Sequence, residues 1–404
     1  MKINHLDRYI FFISLCFASI NFFRPTVDIF REFGIFPSVI MLNVMGFYYI
    51  FTNKLKIISN SVFLFFAIFA IGLMIGIFSF FFFGEVTLLD GKNNILQLTF
   101  QGLLFLNSIF VIMTLNNFFS INKNIDYFIK SIPIVLLFNV SIFYLDYFFS
   151  IPNIILYLTA NDVRPSGLSS EPSFYQAYVS ILCLSLINTK ITLKIFLLLF
   201  LSIISLFLSG QETFIFIFFL FFVIKIIFCT NLSLNIKLFI FFTAIILSFM
   251  VAPIVFYFIP TSMESEMVRI GSVFTGVNVL SNAPLGIGIG QFHFNYNLDY
   301  FPSEIINIPE INDFINQESS IKANTFNYFL RITLEFSLFG LVLLFFLLYK
   351  NLYRALSINS SQSLFAVNLF FAVSVFMMSV DLFAYPLLLI SLGVLVTYES
   401  SNKY

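Results

Sequence analysis

Apolar residues in this chain come in long, nearly uninterrupted blocks separated by short polar clusters. That is the pattern of helices that cross a bilayer, not of amphipathic helices with one wet face. A crossing helix takes about 20 apolar residues, within a range of about 17–25. Such blocks fall at 9–23, 34–52, 59–84, 95–119, 131–149, 174–188, 195–209, 213–228, 237–259, 326–349, 364–380 and 383–398. They predict an all-α polytopic membrane protein with about 12 transmembrane helices, residues 1–404 forming a single integral membrane domain. The first block has no small-residue cleavage site and further blocks come after it, so it reads as an anchor that is kept.

Two polar intervals stand out, 150–173 and about 260–325. The second is too long to be structureless inside a compact domain. A helix is predicted over 264–280, where Met267, Ile270, Val273, Phe274 and Val277 recur at helical spacing, and it is placed on the membrane surface. Charge sets the orientation. With the N-terminus inside, the cytoplasmic ends and loops hold 13 Lys and Arg and the opposite side 7. This bias puts both termini in the cytoplasm and both long loops outside. Five of the seven outer residues are arginines, Arg24, Arg31, Arg164, Arg269 and Arg331, whereas lysine dominates inside. A planar, always-charged fork suits phosphate or carboxylate better than an ammonium does; pairing with outer Asp and Glu is the plainer alternative.

Composition agrees with the pattern and narrows the function. The chain is 60% hydrophobic and 10% charged, with 62 Phe and no Trp. Interfacial anchoring therefore falls to Tyr and Phe. Zero net charge gives no basic field for nucleic acid. Cys16, Cys183 and Cys229 lie in or at the ends of apolar blocks, odd in number and without a CxxC pair, and read as packing residues. No His, Asp and Glu cluster has metal-ligand spacing, so no metal site is expected.

Four polar sets carry candidate chemistry. The first is RPSGLSSEPS at 164–173, with Arg164, Ser166, Gly167 and Glu171. Pro172 holds Glu171 extended and suits the first turn of the next helix. Glu171 or Ser170 then caps that helix, or Glu171 manages a proton beside the Arg164 guanidinium. The second set is Arg269 followed by Gly286, Gly288 and Gly290, with His293 beside them. The glycines do not match a dinucleotide fingerprint. They read as a flexible turn or as backbone donors to an anion. The third set is Asn324, Asn327, Arg331 and Glu335, on one helix face. Arg331 and Glu335 either pair at i,i+4 or line a polar cavity. The fourth is Ser205, Ser209, Gly210, Gln211 and Glu212, at a hairpin tip. All four fall on the outer side, as a single site built from several loops would.

At these residues the chain resembles the O-antigen polymerase (Wzy) family, within the O-antigen ligase/polymerase superfamily. RPSGLSSEPSFYQA, from Arg164 to Ala177, is similar to the polymerase pattern Arg-x-x-Gly followed by Glu-Pro-Ser. RIGSVFTG through NAPLGIGIGQF, Arg269 to Phe292, resembles the end of the family's large loop. NYFLRITLEFSLFG, Asn327 to Gly340, resembles the helix written Asn-x-x-Leu…Glu-x-Gly-x-x-Gly. There are departures. Phe326 stands where ligases carry a catalytic histidine, and Ser337 where the helix pattern has its first glycine. Gly210 and Gln211 come after Ser209, where ligases often have arginine.

The resemblance implies a GT-C-like bundle in the bacterial inner membrane, with a large periplasmic loop and a periplasmic active site. It implies a glycosyltransferase that moves a growing glycan from undecaprenyl pyrophosphate onto a new lipid-linked repeat unit, with no cofactor. Partners would be those lipid-linked oligosaccharides, membrane lipid and a polysaccharide chain-length regulator. Arg164 and Arg269 would stabilise the leaving pyrophosphate. Glu171 would act on the attacking hydroxyl, with His293 or Glu335 in reserve. Ser166, Gly167, Gly286, Gly288, Gly290, Asn327 and Arg331 would bind substrate. The rival readings are an O-antigen ligase and a flippase or other transporter of lipid-linked oligosaccharide.

Overall fold

The computed structural model describes residues 5–19, 36–52, 54–55, 59–83, 94–149, 165, 168–169, 172–187, 192–210, 212–258, 264–291, 326–380, 382 and 385–399. Among these residues the chain is helical, with no strand. The helices are α1 His5–Cys16, α2 Pro37–Phe51, α3 Asn60–Phe83, α4 Asn94–Phe119, α5 Asn122–Phe149, α6 Pro172–Ser185 and α7 Leu193–Leu208. They continue as α8 Thr213–Cys229, α9 Leu234–Met250, α10 Ala252–Phe256, α11 Glu264–Asn282, α12 Tyr328–Ile358, α13 Ser361–Met377 and α14 Pro386–Thr397.

Local sequence explains where many of these begin and end. Thr192 and Ser233 cap α7 and α9 by accepting from the backbone N–H groups of Ile195 and Ile236. Ser360 and Ser363 cap α13 reciprocally. Pro37 and Pro386 stand in first turns, where a missing N–H costs nothing. Pro253 falls in the first turn of the short α10, so the predicted block 237–259 is two helices.

Among the described residues, four helices are long and apolar enough to cross a membrane: Asn60–Phe81, Asn94–Phe119, Asn122–Phe149 and Tyr328–Ile358. Six shorter apolar helices accompany them. This is the composition of a helical membrane protein. Every residue of α14 is buried, as is α13 from Phe365 onward. A helix apolar all round belongs inside a bundle, and α14 packs on α4 and α13, while α13 also packs on α6, α8 and α12. The outer helices turn their apolar side outward instead: Phe207, Phe219 and Phe239 are 63%, 65% and 71% exposed.

Buried polar side chains tie helices together. The Asn351 amide donates to Ser61 Oγ, and Ser19 donates to Asn139. At the end of α14, Glu399 accepts from Lys350 Nζ and from the Ser61 backbone N–H, and its carbonyl accepts from Arg354. Burial pushes the Glu399 carboxyl up, but the bonds from Lys350 and Ser61 outweigh it and hold it below its ordinary value.

Candidate functional site

A pocket of about 880 Å³ lies between α8, α9, α10 and α11, within the range of sites that hold small molecules or cofactors. Each wall arises from a local feature. The turn joining α7 to α8 supplies Gly210, Glu212 and Thr213, with Gly210 at φ +69°. Along α8 the lining then becomes apolar, through Ile215, Phe216 and Phe219. The end of α9 and α10 contribute Leu247, Ser248, Val251, Ala252 and Val255. Ile215, Phe219 and Leu247 are themselves more than half exposed, so this wall merges with the outer apolar surface of the bundle.

The fourth face is α11, the helix expected from the spacing of its apolar residues. Met267 and Val273 are buried, Ile270 and Val277 half-buried, and the helix packs on α10 and α12. Phe274 meets Phe256 of α10 with ring centroids 5.8 Å apart. Arg269 is exposed and lines the pocket, together with Ile270 and Val273. Phe326, Met378 and Ser379 complete the lining. Phe326 is held at φ +48°, a left-handed conformation uncommon for a bulky side chain.

Asn327 builds the wall beside these residues. Its carbonyl oxygen accepts from Leu330 N–H and caps α12, while its amide donates to Ser248 Oγ (3.1 Å) and to the Met378 carbonyl (3.0 Å). Three of its bonds are thereby used on protein groups. Asn327, expected as a substrate-binding residue, is not among the lining residues but bonds two residues that are, Ser248 and Met378.

Arg331 and Glu335 do not line this pocket. Arg331 Nε donates to Glu335 Oε1 at 3.1 Å, the i,i+4 pairing that was one of the two alternatives. Arg331 Nη2 also donates to Gln101 of α4 at 3.0 Å, and Glu335 is 1% exposed. Two residues further on, α12 breaks: Ser337 has φ +66° and ψ 173°. The segment 286–291 wedges into this break. The Ile287 N–H donates to the Leu334 carbonyl at 2.7 Å, and the Ile289 N–H donates to the Gly72 carbonyl of α3. Gln291 donates to the Asn94 carbonyl of α4 at 3.0 Å.

The glycines are there for close approach. A Cβ on Gly288, at φ +94°, would lie 2.3 Å from Gly76 Cα, and one on Gly290 would lie 2.6 Å from the Gln97 carbonyl oxygen. The N–H groups of Gly286, Ile287, Ile289 and Gln291 all donate to protein carbonyls. The close neighbours of Gly286, Gly288 and Gly290 are α12, α3 and α4 respectively, so these glycines, expected as backbone donors to an anion, also serve packing.

Arg164, Ser166, Gly167, Glu171, Gln211, His293 and Asn324 lie outside the described residues. Immediately after Glu171, Pro172 opens α6, as expected, and just before it Ser169 is fully buried. Two buried polar groups near this end of α6 escaped the sequence reading. Gln176 is fully buried and bonds the α7–α8 turn. Asp146, 4% exposed, lies one helical turn from Phe143, whose ring stacks on Tyr175 at 4.6 Å. In α4, Asn94, Gln97 and Gln101 recur at spacings of three and four, a polar stripe in an apolar block that could have been found.

No protein-family model matches this chain. No curated protein matches it either.

Chemically, the described lining residues offer one forked cation in Arg269, one carboxylate in Glu212, three hydroxyls in Thr213, Ser248 and Ser379, and a long apolar wall open to the outer surface. That set suits a ligand with an anionic head and a lipid tail.

Proposed function

We propose that this chain is a membrane glycosyltransferase of the O-antigen polymerase type, acting on oligosaccharide repeat units carried by undecaprenyl pyrophosphate. The observation that carries the reading is the pocket where Arg269 and the α7–α8 turn meet an apolar wall continuous with the lipid-facing surface. The finer architecture belongs to the proposal: about twelve spans in a GT-C-like bundle, both termini cytoplasmic and the pocket periplasmic. Further support comes from Ser337. Where the resembled helix pattern has glycine, this chain has serine in a backbone region that glycine favours.

In this reading the donor C1–O bond to pyrophosphate breaks while an acceptor hydroxyl oxygen forms a new bond to C1. The undecaprenyl pyrophosphate leaves with the electron pair, and its growing negative charge falls to Arg269 and Arg164. The hydroxyl proton passes to a carboxylate, with Glu171 first in line. The energy comes from the sugar–pyrophosphate bond.

One observation favours a transporter of the same lipid-linked substrate. Transporters place broken helices at mid-membrane, and Ser337 lies about 14 Å along α12 from its start. Here, however, the break is filled by the chain's own loop.

Deletion of the gene separates the readings. The polymerase reading expects surface glycan reduced to core plus one repeat unit, with no ladder, and no ladder restored by Arg269→Lys at normal protein level. Loss of even the single unit would identify a ligase, and lipid-linked units stranded on the cytoplasmic face a transporter.

A further inference from the structure

Gln176 is fully buried in the first turns of α6, and its amide is spent on both ends of one turn of chain. Nε2 donates to Ser209 Oγ at 2.6 Å and to the Leu206 carbonyl at 2.9 Å, at the end of α7. Oε1 accepts from the Phe214 N–H at 3.3 Å, at the start of α8. Between these anchors lie Gly210, Glu212 and Thr213, the part of the turn that lines the pocket. The neighbouring Tyr175 fixes the same register: its hydroxyl donates to Ser205 Oγ at 2.8 Å, and its ring stacks on Phe143 of α5.

We propose that Gln176 is a positioning residue that holds the α7–α8 turn as the rim of the Arg269 pocket and so sets the affinity for a polyprenyl pyrophosphate; this rests on the lipid-linked-substrate reading above. The chemistry requires an amide. Binding an N–H on one side and a carbonyl and a hydroxyl on the other takes an acceptor and two donors in one planar group, which only Asn and Gln carry. Burial makes the arrangement binary, because an unfilled partner in this environment has no water to turn to. Gln176 lies five residues beyond Glu171 in sequence.

The test uses the full chain in nanodiscs, with undecaprenyl pyrophosphate as the binding probe and a lipid-linked repeat unit as the substrate. Gln176→Leu keeps the volume and removes every polar contact; Ser209→Ala removes only one receiving hydroxyl. Gln176→Leu is expected to speed amide exchange in residues 209–216, to weaken binding of the probe on the order of tenfold and to raise KM by a similar factor, with kcat little changed. Ser209→Ala moves each quantity the same way by less, and it decides the matter where the leucine variant fails to fold. Unchanged exchange, or faster exchange with unchanged binding, overturns the proposal. A wild-type chain that binds the probe but extends no glycan sinks the polymerase reading alone, since the loss of binding in Gln176→Leu still upholds the positioning role. A wild-type chain that does not bind the probe overturns both.

Discussion

Single residues carry unusual backbone here, and they do so next to the groups of interest. Ser337 has φ +66° and ψ 173° in the middle of α12, a region nearly reserved for glycine. Holding a serine there costs about 1–3 kcal/mol. Its hydroxyl returns part of that by accepting from the Phe339 N–H at 3.1 Å. Ser337→Gly relieves the strain and gives up about 0.4–1 kcal/mol through the freer unfolded chain. The expected result is net stabilisation by about 1 kcal/mol, read as a rise of about 1–3 °C in the thermal midpoint of purified protein. A lower midpoint would mean that the hydroxyl bond outweighs the strain. The sequence marked this position as a departure from a glycine pattern, yet only the backbone shows why glycine belongs there. Asn327 was legible as a polar group at a helix start, but its three protein partners were not, because two of them lie 51 and 79 residues away. Gln176 was overlooked for a related reason: a lone glutamine in an apolar helix gives no spacing signal, and its meaning lies in a turn some 30 residues on.

At the scale of elements, the apolar blocks located helices well and their ends poorly. The predicted block 131–149 is the latter part of α5, which begins at Asn122 because its polar first turns are still good helix. Block 326–349 extends to Ile358 and ends at Asn359, whose φ of +50° closes the helix. The wedge 286–291 could not be foreseen as a buried element, since its alternating glycines read equally well as a mobile turn. In the fold they let loop and helix backbones touch. Gly288→Ala would set a Cβ 2.3 Å from Gly76 Cα and 2.4 Å from Gly76 N, contacts that no side-chain rotation relieves. The expected cost is about 3 kcal/mol or more, seen as sharply reduced protein in the membrane fraction. Gly102→Ala is the control: its nearest new neighbour is Phe69 at 3.7 Å, and normal yield is expected. Equal yields for the two variants would show that the wedge is not packed as described.

For the molecule as a whole, hydropathy made the class legible and left the gathering of the site hidden. Segments 43 or more residues apart in sequence, such as Glu212, Val255 and Phe326, share one pocket, and no spacing rule links them. The proposed orientation has a direct reporter in the native chain. Cys16 and Cys183 are buried and Cys229, at the end of α8, is exposed. In cells with a permeabilised outer membrane, an impermeant thiol reagent should leave Cys229 unmodified until the inner membrane is lysed. In a Cys229→Ser background, Asn282→Cys at the exposed end of α11 should react in the intact cells. The reverse pattern would turn the protein over and put the pocket in the cytoplasm. The pocket's apolar wall has a further consequence. Because Ile215, Phe219 and Leu247 carry it out onto the exposed apolar surface of the bundle, a polyprenyl ligand of the proposed kind would arrive by lateral diffusion in the leaflet. The quantity that sets occupancy is then mole fraction in the bilayer, and inert lipid acts as a diluent even when the total amount of substrate in the tube is unchanged.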